Sequence, residues 1–425
     1  MGERILVVGS GAREHALVWK LAQSRRTEAL WCAPGNAGTA AIAETVAVEA
    51  TDLMGLVATA SQLRIELVVV GPEAPLAAGL ADRLADAGVR VCGASGAASR
   101  IESSKAWAKE VMAEAQVPTA RAVVVRSLRE GISALSDFDW PVVVKADGLA
   151  AGKGVVIAAD RAEAEEALIA FLEAGSLGEA GRVVVLEECL TGREVSVLAL
   201  TDGESVMPLP AACDYKRAFD GERGPNTGGM GAYSPVPTLS AVGLGEIQRT
   251  ILAPTVAALA ARGTPLRGVL YAGLMLTAGG PMTLEFNARF GDPETQVILP
   301  LLDADLAEML AAVADGALGD VAPPKTADGA AVAVVLASGG YPGPFRTGVP
   351  IEGLDRVPED VLVFHAGTTR DDVGRTVTAG GRVLTVVGRG ATIADARKRA
   401  YAGAEAISFA GRQIRSDIAL RETLA

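Results

Sequence analysis

Short apolar runs recur through the N-terminal quarter of the chain: Ile5 to Val8, Ala29 to Cys32, Leu67 to Val70 and, with Arg90 inside it, Val89 to Cys92. Most are followed by stretches whose apolar residues fall three and four apart, as in Arg13 to Ala22, Leu53 to Ala60 and Leu76 to Ala87. Strands without polar alternation are those a parallel sheet buries on both faces, and the intervening spacing is that of amphipathic helices. Residues 1–103 are therefore predicted to form a doubly wound α/β domain.

Beyond Ser104 the pattern changes. A helical stretch from Lys105 to Ala115 precedes short strand-like runs at 122–125, 142–145, 155–158, 182–187 and 194–200, with a helix at 162–174. Residues 208–237 lack periodicity and read as a long irregular loop, which in a compact domain is usually functional. A helix at 245–262, strands at 269–277 and 282–287 and a helix near 301–314 follow, giving a central unit of two α+β subdomains over 104–325. Ala322 to Thr326 reads as a linker. The last part, 326–425, is predicted as a small α+β domain, with strands at 330–337, 361–365 and 382–387 and a helix at 392–408.

With 425 residues, half of them hydrophobic and 21% charged, the chain has material for several cores and lacks the signature of disorder. Its net charge of -12 opposes a phosphate backbone, so no nucleic-acid partner is expected. No apolar stretch approaches the ~18 residues a membrane span needs. Cys32, Cys92, Cys189 and Cys213 are scattered, which argues against a disulfide framework or zinc cluster and for buried small side chains in a reducing, cytoplasmic compartment. His15 and His365 are the only histidines, and both read as structural, leaving no basis for a Ser-His-Asp triad.

Four motifs carry candidate chemistry. Gly9, Gly11 and Arg13 lie between the first strand and the first helix, where free amides and the helix dipole attract anions. Glu14 stands where a dinucleotide fingerprint wants its third glycine, so a small phosphate-bearing ligand fits better than NAD. The turns with Asn36 and Thr39, and with Glu73, lie along the same sheet edge. Lys145 opens a glycine-rich hairpin through Gly148, Gly152, Lys153 and Gly154, suited to close on a triphosphate but spaced unlike a P-loop. Glu187, Glu188 and Glu194 sit where adenine and ribose could be held. Glu285 and Asn287, two apart on one strand, offer oxygen ligands to Mg2+.

In this order, Lys105, the 145–154 loop, Glu187, Glu188, Glu194, Glu285 and Asn287 resemble the ATP-grasp superfamily. The runs from Gly11 to Leu17, Ala33 to Thr39, Val70 to Leu76, Gly224 to Pro235 and Asn287 to Glu294 narrow the resemblance to the phosphoribosylamine-glycine ligases of purine synthesis, over nearly the whole chain. The resemblance implies an ATP-grasp domain at 104–325 with a mobile lid at about 118–190. It also implies ATP-dependent joining of glycine to 5-phosphoribosylamine through glycyl phosphate, with Mg2+ or Mn2+, in a monomer or weak dimer.

Carried over by residue, Lys105, Lys145, Gly148, Gly152, Lys153 and Gly154 would meet phosphates. Glu187, Glu188 and Leu190 would hold adenine, Glu194 the ribose, and Glu285 and Asn287 the metal. Arg289 and Asp292 would lie beside glycine or the acyl phosphate. Asp214, Lys216, Asn226, Thr227 and Gly228 would close over phosphoribosylamine, with its phosphate at Gly9, Gly11 and Arg13 near Asn36, Thr39 and Glu73. Lys145, Arg289, Asp214 and Asp292 are the catalytic candidates, the two aspartates as bases.

Three positions depart from the family pattern. Tyr215 stands where the family often has histidine, which puts proton transfer by an imidazole in doubt. Ser103 replaces a usual glycine, and Tyr271 to Gly273 offers no acid opposite Glu285. Another carboxylate-amine ligase or carboxylase, a nicotinamide-dependent oxidoreductase and a silent nucleotide sensor are the alternatives.

Overall fold

The structure is a computed structural model and describes residues 2–149 and 154–423. Its N-terminal strands Glu3–Gly9, Thr27–Pro34, Glu44–Thr45, Leu67–Val70 and Arg90–Cys92 form one parallel sheet, with the first strand central, between the second and the fourth. Ile5 to Val8 and Leu67 to Val69 are fully buried, as covering on both faces requires. Helices Ala12–Leu21 and Leu53–Gln62 flank it. The helix expected over 76–87 is two helices, Glu73–Ala77 and Leu80–Asp86, because Gly79 adopts a left-handed φ of 83° and breaks the chain between them.

Residues 122–188 hold a second sheet, antiparallel, ordered Ala122–Val125, Val184–Glu188, Val142–Ala146 and Val155–Ala158. It has its own apolar core, which includes Val144, Phe138, Leu168 and Phe171. Opposite it stands the central antiparallel sheet of Val206–Pro208, Arg193–Asp202, Arg267–Thr277 and Gly280–Asn287. A single larger core runs from Ile5 and Leu17 through Leu200, Phe290 and Leu310 to Phe364, joining the first, central and last parts of the chain.

The stretch 208–237 is not irregular. It contains four short strands, Cys213–Asp214, Arg217–Phe219, Arg223–Asn226 and Gly231–Ser234. Cys213–Asp214 and Gly231–Ser234 extend the C-terminal sheet of Ala330–Ala337, Arg382–Gly390 and Val361–His365. Strands of two to four residues cannot display a period, which is why the pattern missed them. Within the expected linker, Lys325–Thr326 pairs with Leu302–Asp303. Cys32 and Cys92 are buried, whereas Cys189 and Cys213 are only partly so, because they line the cavity described below.

Candidate active site

A cavity of about 950 Å3 separates the lid-like sheet of 122–188 from the central sheet. Lys145 stands one residue before the end of strand Val142–Ala146, on the cavity wall. In the antiparallel register it faces Val185 while Glu187 faces Val143, so the two charged side chains are diagonal neighbours on one face. Lys145 Nζ donates to Glu187 Oε2 at 2.9 Å and to the Leu284 carbonyl at 3.1 Å. Lys109 Nζ lies 3.4 Å from the other oxygen of Glu187. Glu187, 2% exposed, therefore sits between two ammonium groups.

Lys105 enters from helix Lys105–Glu114, whose N-cap Ser104 accepts from the Trp107 amide. Its position four residues before Lys109 puts both on one helix face. Asp147 ties the hairpin to this helix: it accepts from Ser104 Oγ at 3.1 Å and from the Ala106 amide at 2.6 Å. Lys105 Nζ donates to the Gly148 carbonyl at 3.3 Å. Burial pushes the Lys105 and Lys109 ammonium groups below their ordinary value, partly offset by Glu285 for Lys105 and by Glu187 for Lys109. Gly154 accepts from the Ala146 amide at 2.8 Å. Gly152 and Lys153 lie outside the described residues.

Facing this cluster, the alternation of strand Gly280–Asn287 sends Glu285 and Asn287 into the cavity while Phe286 is buried behind. Burial alone would raise the Glu285 carboxyl, yet Lys216, Lys145, Lys105 and Arg289 together hold it below its usual range. Gly273 pairs with Glu285 across the sheet, and a side chain there would crowd Glu285 Cγ at 3.2 Å. Asn287 Oδ1 receives only a 3.4 Å contact from Arg289. An ionised carboxylate and a nearly free amide oxygen beside anion-attracting lysines fit a hard divalent cation that keeps water and phosphate ligands. Among the described residues no three acidic, histidine or cysteine side chains gather as a metal cluster.

At the far end, Lys216 Nζ pairs with Glu194 Oε2 at 2.9 Å. Arg289 pairs with Glu102 at 3.0 Å and lies 3.6 Å from Glu73, with its Nε lacking a hydrogen-bond partner. Burial pushes the Asp214 carboxyl up to about 7, with Lys216 opposing and Glu294 and Glu194 reinforcing the rise.

Three family models match the chain: phosphoribosylglycinamide synthetase N domain at residues 3–102, its ATP-grasp (A) domain at 103–295, and its C domain at 331–421. The chain is 50% identical over 418 residues to the phosphoribosylamine-glycine ligase of Caulobacter vibrioides, covering 98% of each. It is 52% identical over 422 residues to that of Streptomyces coelicolor, covering 98% of this chain and 99% of the other. The crystal structure of phosphoribosylamine-glycine ligase from Thermotoga maritima superposes with a TM-score of 0.85 at 35% identity, covering 98% of this chain and 100% of the other. The chain belongs to the phosphoribosylamine-glycine ligase family.

With family membership in place, the remaining candidates divide. Lys105, Lys145, Glu187, Glu188, Leu190, Glu194, Glu73, Asp214, Lys216, Asn226, Thr227, Gly228, Glu285, Asn287, Arg289 and Asp292 all line the one cavity. Gly9, Gly11, Arg13, Asn36 and Thr39 do not line it. The Gly11 amide donates to Glu14 Oε2 at 2.6 Å, so the helix N-terminus that resembled an anion site already holds a carboxylate from its own first turn. Arg13 is tied to Glu14 at 2.6 Å and to the Phe290 carbonyl at 3.1 Å. Asn36 accepts from the Gly38 and Thr39 amides, and its amide donates to the carbonyls of Ser10 and His365. These side chains brace the edge of the sheet.

Tyr215 lines the cavity, with its hydroxyl accepting from the Ala419 amide and the Arg415 guanidinium over its ring. Asp292 is held at both oxygens, by Gln296 at 2.7 Å and Arg382 at 3.1 Å, and Arg382 and Arg13 keep it below the usual carboxylate range despite burial. Sequence reasoning missed Lys109, Glu102 and Arg382, and named Glu294 only as the end of the turn after Gly291. Glu294, 3% exposed, accepts from Tyr271 at 2.9 Å and Ser196 at 3.2 Å in the cavity wall. Only Lys109 carried a readable signal, its four-residue spacing from Lys105.

Proposed function

We propose that this chain joins glycine to 5-phosphoribosylamine at the expense of ATP, forming glycinamide ribonucleotide, ADP and phosphate in purine synthesis. A glycine carboxylate oxygen attacks the γ-phosphorus, the bond to the bridging oxygen breaks, and glycyl phosphate results. The amine nitrogen then attacks the acyl carbon, phosphate leaves and the nitrogen gives up a proton. The reading rests on one observation: Lys105, Lys109 and Lys145 converge with Glu285 and Asn287 on a single cavity that also reaches Arg289, Asp214 and Lys216.

Anions meet in this reaction, so catalysis depends on placing them and neutralising their charge rather than on a protein nucleophile. Lys105 and Lys145 contact the transferred phosphates, with Lys109 reinforcing them through Glu187. Glu285 and Asn287 would hold Mg2+ or Mn2+, which would screen the repulsion between triphosphate and carboxylate. Arg289, whose Nε makes no hydrogen bond and faces Glu73 at 3.6 Å, orients the glycine carboxylate or the acyl phosphate. Asp214, raised to about 7, takes the amine proton. Asp292, engaged by Arg382 and Gln296, serves as a strut instead of a base. The closed Gly11 turn removes support for phosphate binding at that amide, and the substrate phosphate is assigned to the face of Lys216, Asn226 and Thr227. The same reading makes the protein a cytoplasmic enzyme, monomeric or weakly dimeric. Phosphate release that requires glycine and phosphoribosylamine together is the expected result; release with neither present, or turnover without ATP, would refute the assignment.

A further inference from the structure

The loop Asn226 to Gly229 and the turn Gly291 to Glu294 face one another across the acceptor end of the cavity, and neither is held by its own strand alone. A third segment, far away in sequence, reaches both. Arg382 begins strand Arg382–Gly390 of the C-terminal sheet. Its Nη1 donates to the Gly228 carbonyl at 2.6 Å and to the Asp292 carbonyl at 2.9 Å, while its Nη2 reaches Asp292 Oδ2 at 3.1 Å. A second C-terminal side chain joins it: the Gly228 amide donates to Tyr341 Oη at 3.0 Å.

The local sequence is fitted to this arrangement. A Cβ on Gly228 would lie 3.0 Å from the Arg382 guanidinium carbon, and one on Gly381 would strike the Tyr341 ring. Gly229 has a φ of 110°, and any side chain there would overlap Pro293. The two segments therefore touch backbone to ring, and Gly228 has both its amide and its carbonyl engaged by the C-terminal domain.

We propose that Arg382 and Tyr341 are positioning residues that fix the 226–229 loop against the 291–294 turn and thereby set the affinity for the amine substrate, leaving the ATP end independent. This rests on the ligase reading and on the placement of phosphoribosylamine at that loop. A guanidinium suits the task because its planar fork can span two carbonyls and a carboxylate at once, which an ammonium cannot. The ATP end is held by other groups, Lys105, Lys145 and Glu187, none of which touches Arg382.

The test is steady-state kinetics of the full-length enzyme with each substrate varied in turn. Arg382→Ala should raise KM for phosphoribosylamine about 10- to 100-fold, the range expected for losing charge-assisted hydrogen bonds. KM for ATP should stay within about twofold in the same variant. Arg382→Lys should fall between the wild type and Arg382→Ala. Tyr341→Phe, which removes one hydroxyl and keeps the ring, should raise the same KM about threefold. Equal increases in KM for all three substrates, or an unchanged KM for phosphoribosylamine in a variant of normal Tm, would overturn the proposal. Should Arg382→Ala fail to fold, Arg382→Lys and Tyr341→Phe decide by the same split. A wild-type enzyme inactive with phosphoribosylamine would instead refute the ligase reading itself.

Discussion

Two regions of this molecule carry glycine turns and charged side chains at sheet edges, and they have opposite fates. At Gly9 to Glu14 the turn resembles a nucleotide cradle, yet its own Glu14 fills it: a Cβ on Gly9 would lie 2.6 Å from Glu14 Cγ, and the Gly11 amide is already engaged. Between the lid-like and central sheets, weaker motifs on four separate elements leave their charges facing a 950 Å3 cavity. Charges in the second region are also paired, Lys145 with Glu187 and Lys216 with Glu194, but open space remains in front of them, whereas Glu14 occupies the space before the glycine turn. In the first region a carboxylate i+3 from the N-cap completes the helix; in the second, strand alternation and helix spacing aim unlike residues at a common space.

The sharpest break of this contrast comes from Lys145. Replacing it by Met should lower kcat by about 10^2 to 10^3, the cost of removing a preorganised charge from a developing anion. The change leaves Glu187 facing Lys109, which limits the stability loss that an orphaned buried carboxylate would otherwise cause. Near-normal turnover, measured with saturating ATP, would mean that the cavity's charges are structural like those at Glu14.

A smaller effect, of a different kind, is expected at Glu14. Glu14→Gln keeps the size but removes the charge that pairs with buried Arg13, and should destabilise the protein by about 1.5 to 3 kcal/mol in denaturant unfolding. KM for ATP should stay within about twofold. A variant of full stability with weakened ATP binding would reverse the comparison, making the glycine turn part of the nucleotide site.

The contrast also explains what was legible in the sequence. The parallel sheet could be read because Ile5 to Val8 and Leu67 to Val70 are continuous apolar runs that only a doubly covered sheet accommodates. Glu285 and Asn287 could be read because a period of two places them on one face. The strands at 213–214 and 231–234 could not: the second pairs with Ala330–Ala337, about a hundred positions away, and the first joins the sheet only through the second. Arg382 was illegible for the same reason: its partner Gly228 is 154 residues distant, and nothing local marks an arginine at the start of a strand. Lys109 is covered because the sheet of 122–188 brings Glu187 over its helix, a contact that local spacing does not encode.

The mildest test extends the closed region by one residue. His15 follows Glu14 on the same helix, accepts from the His365 amide at 2.8 Å and packs against Phe364 with ring centres 5.6 Å apart. Burial, reinforced by the neighbouring His365, pushes its pKa down to about 3, while burial and Arg370 lower His365 to about 4. Both rings are thus neutral when folded but titrate near 6.5 when unfolded, so the unfolded chain binds more protons as the solution is acidified. Stability from this pair is complete above about pH 6.5 and is lost on acidification, by up to about 1.4 kcal/mol per pH unit for each ring between the unfolded and folded values. His15→Asn places an amide oxygen where Nδ1 accepted and removes one titration, so the slope of unfolding free energy between about pH 6 and 5 should be shallower than in the wild type by up to that amount. An identical slope in the two proteins would show that His15 is hydrated and charged when folded, and that the seam between the first and last parts of the chain is open where the glycine turn is closed.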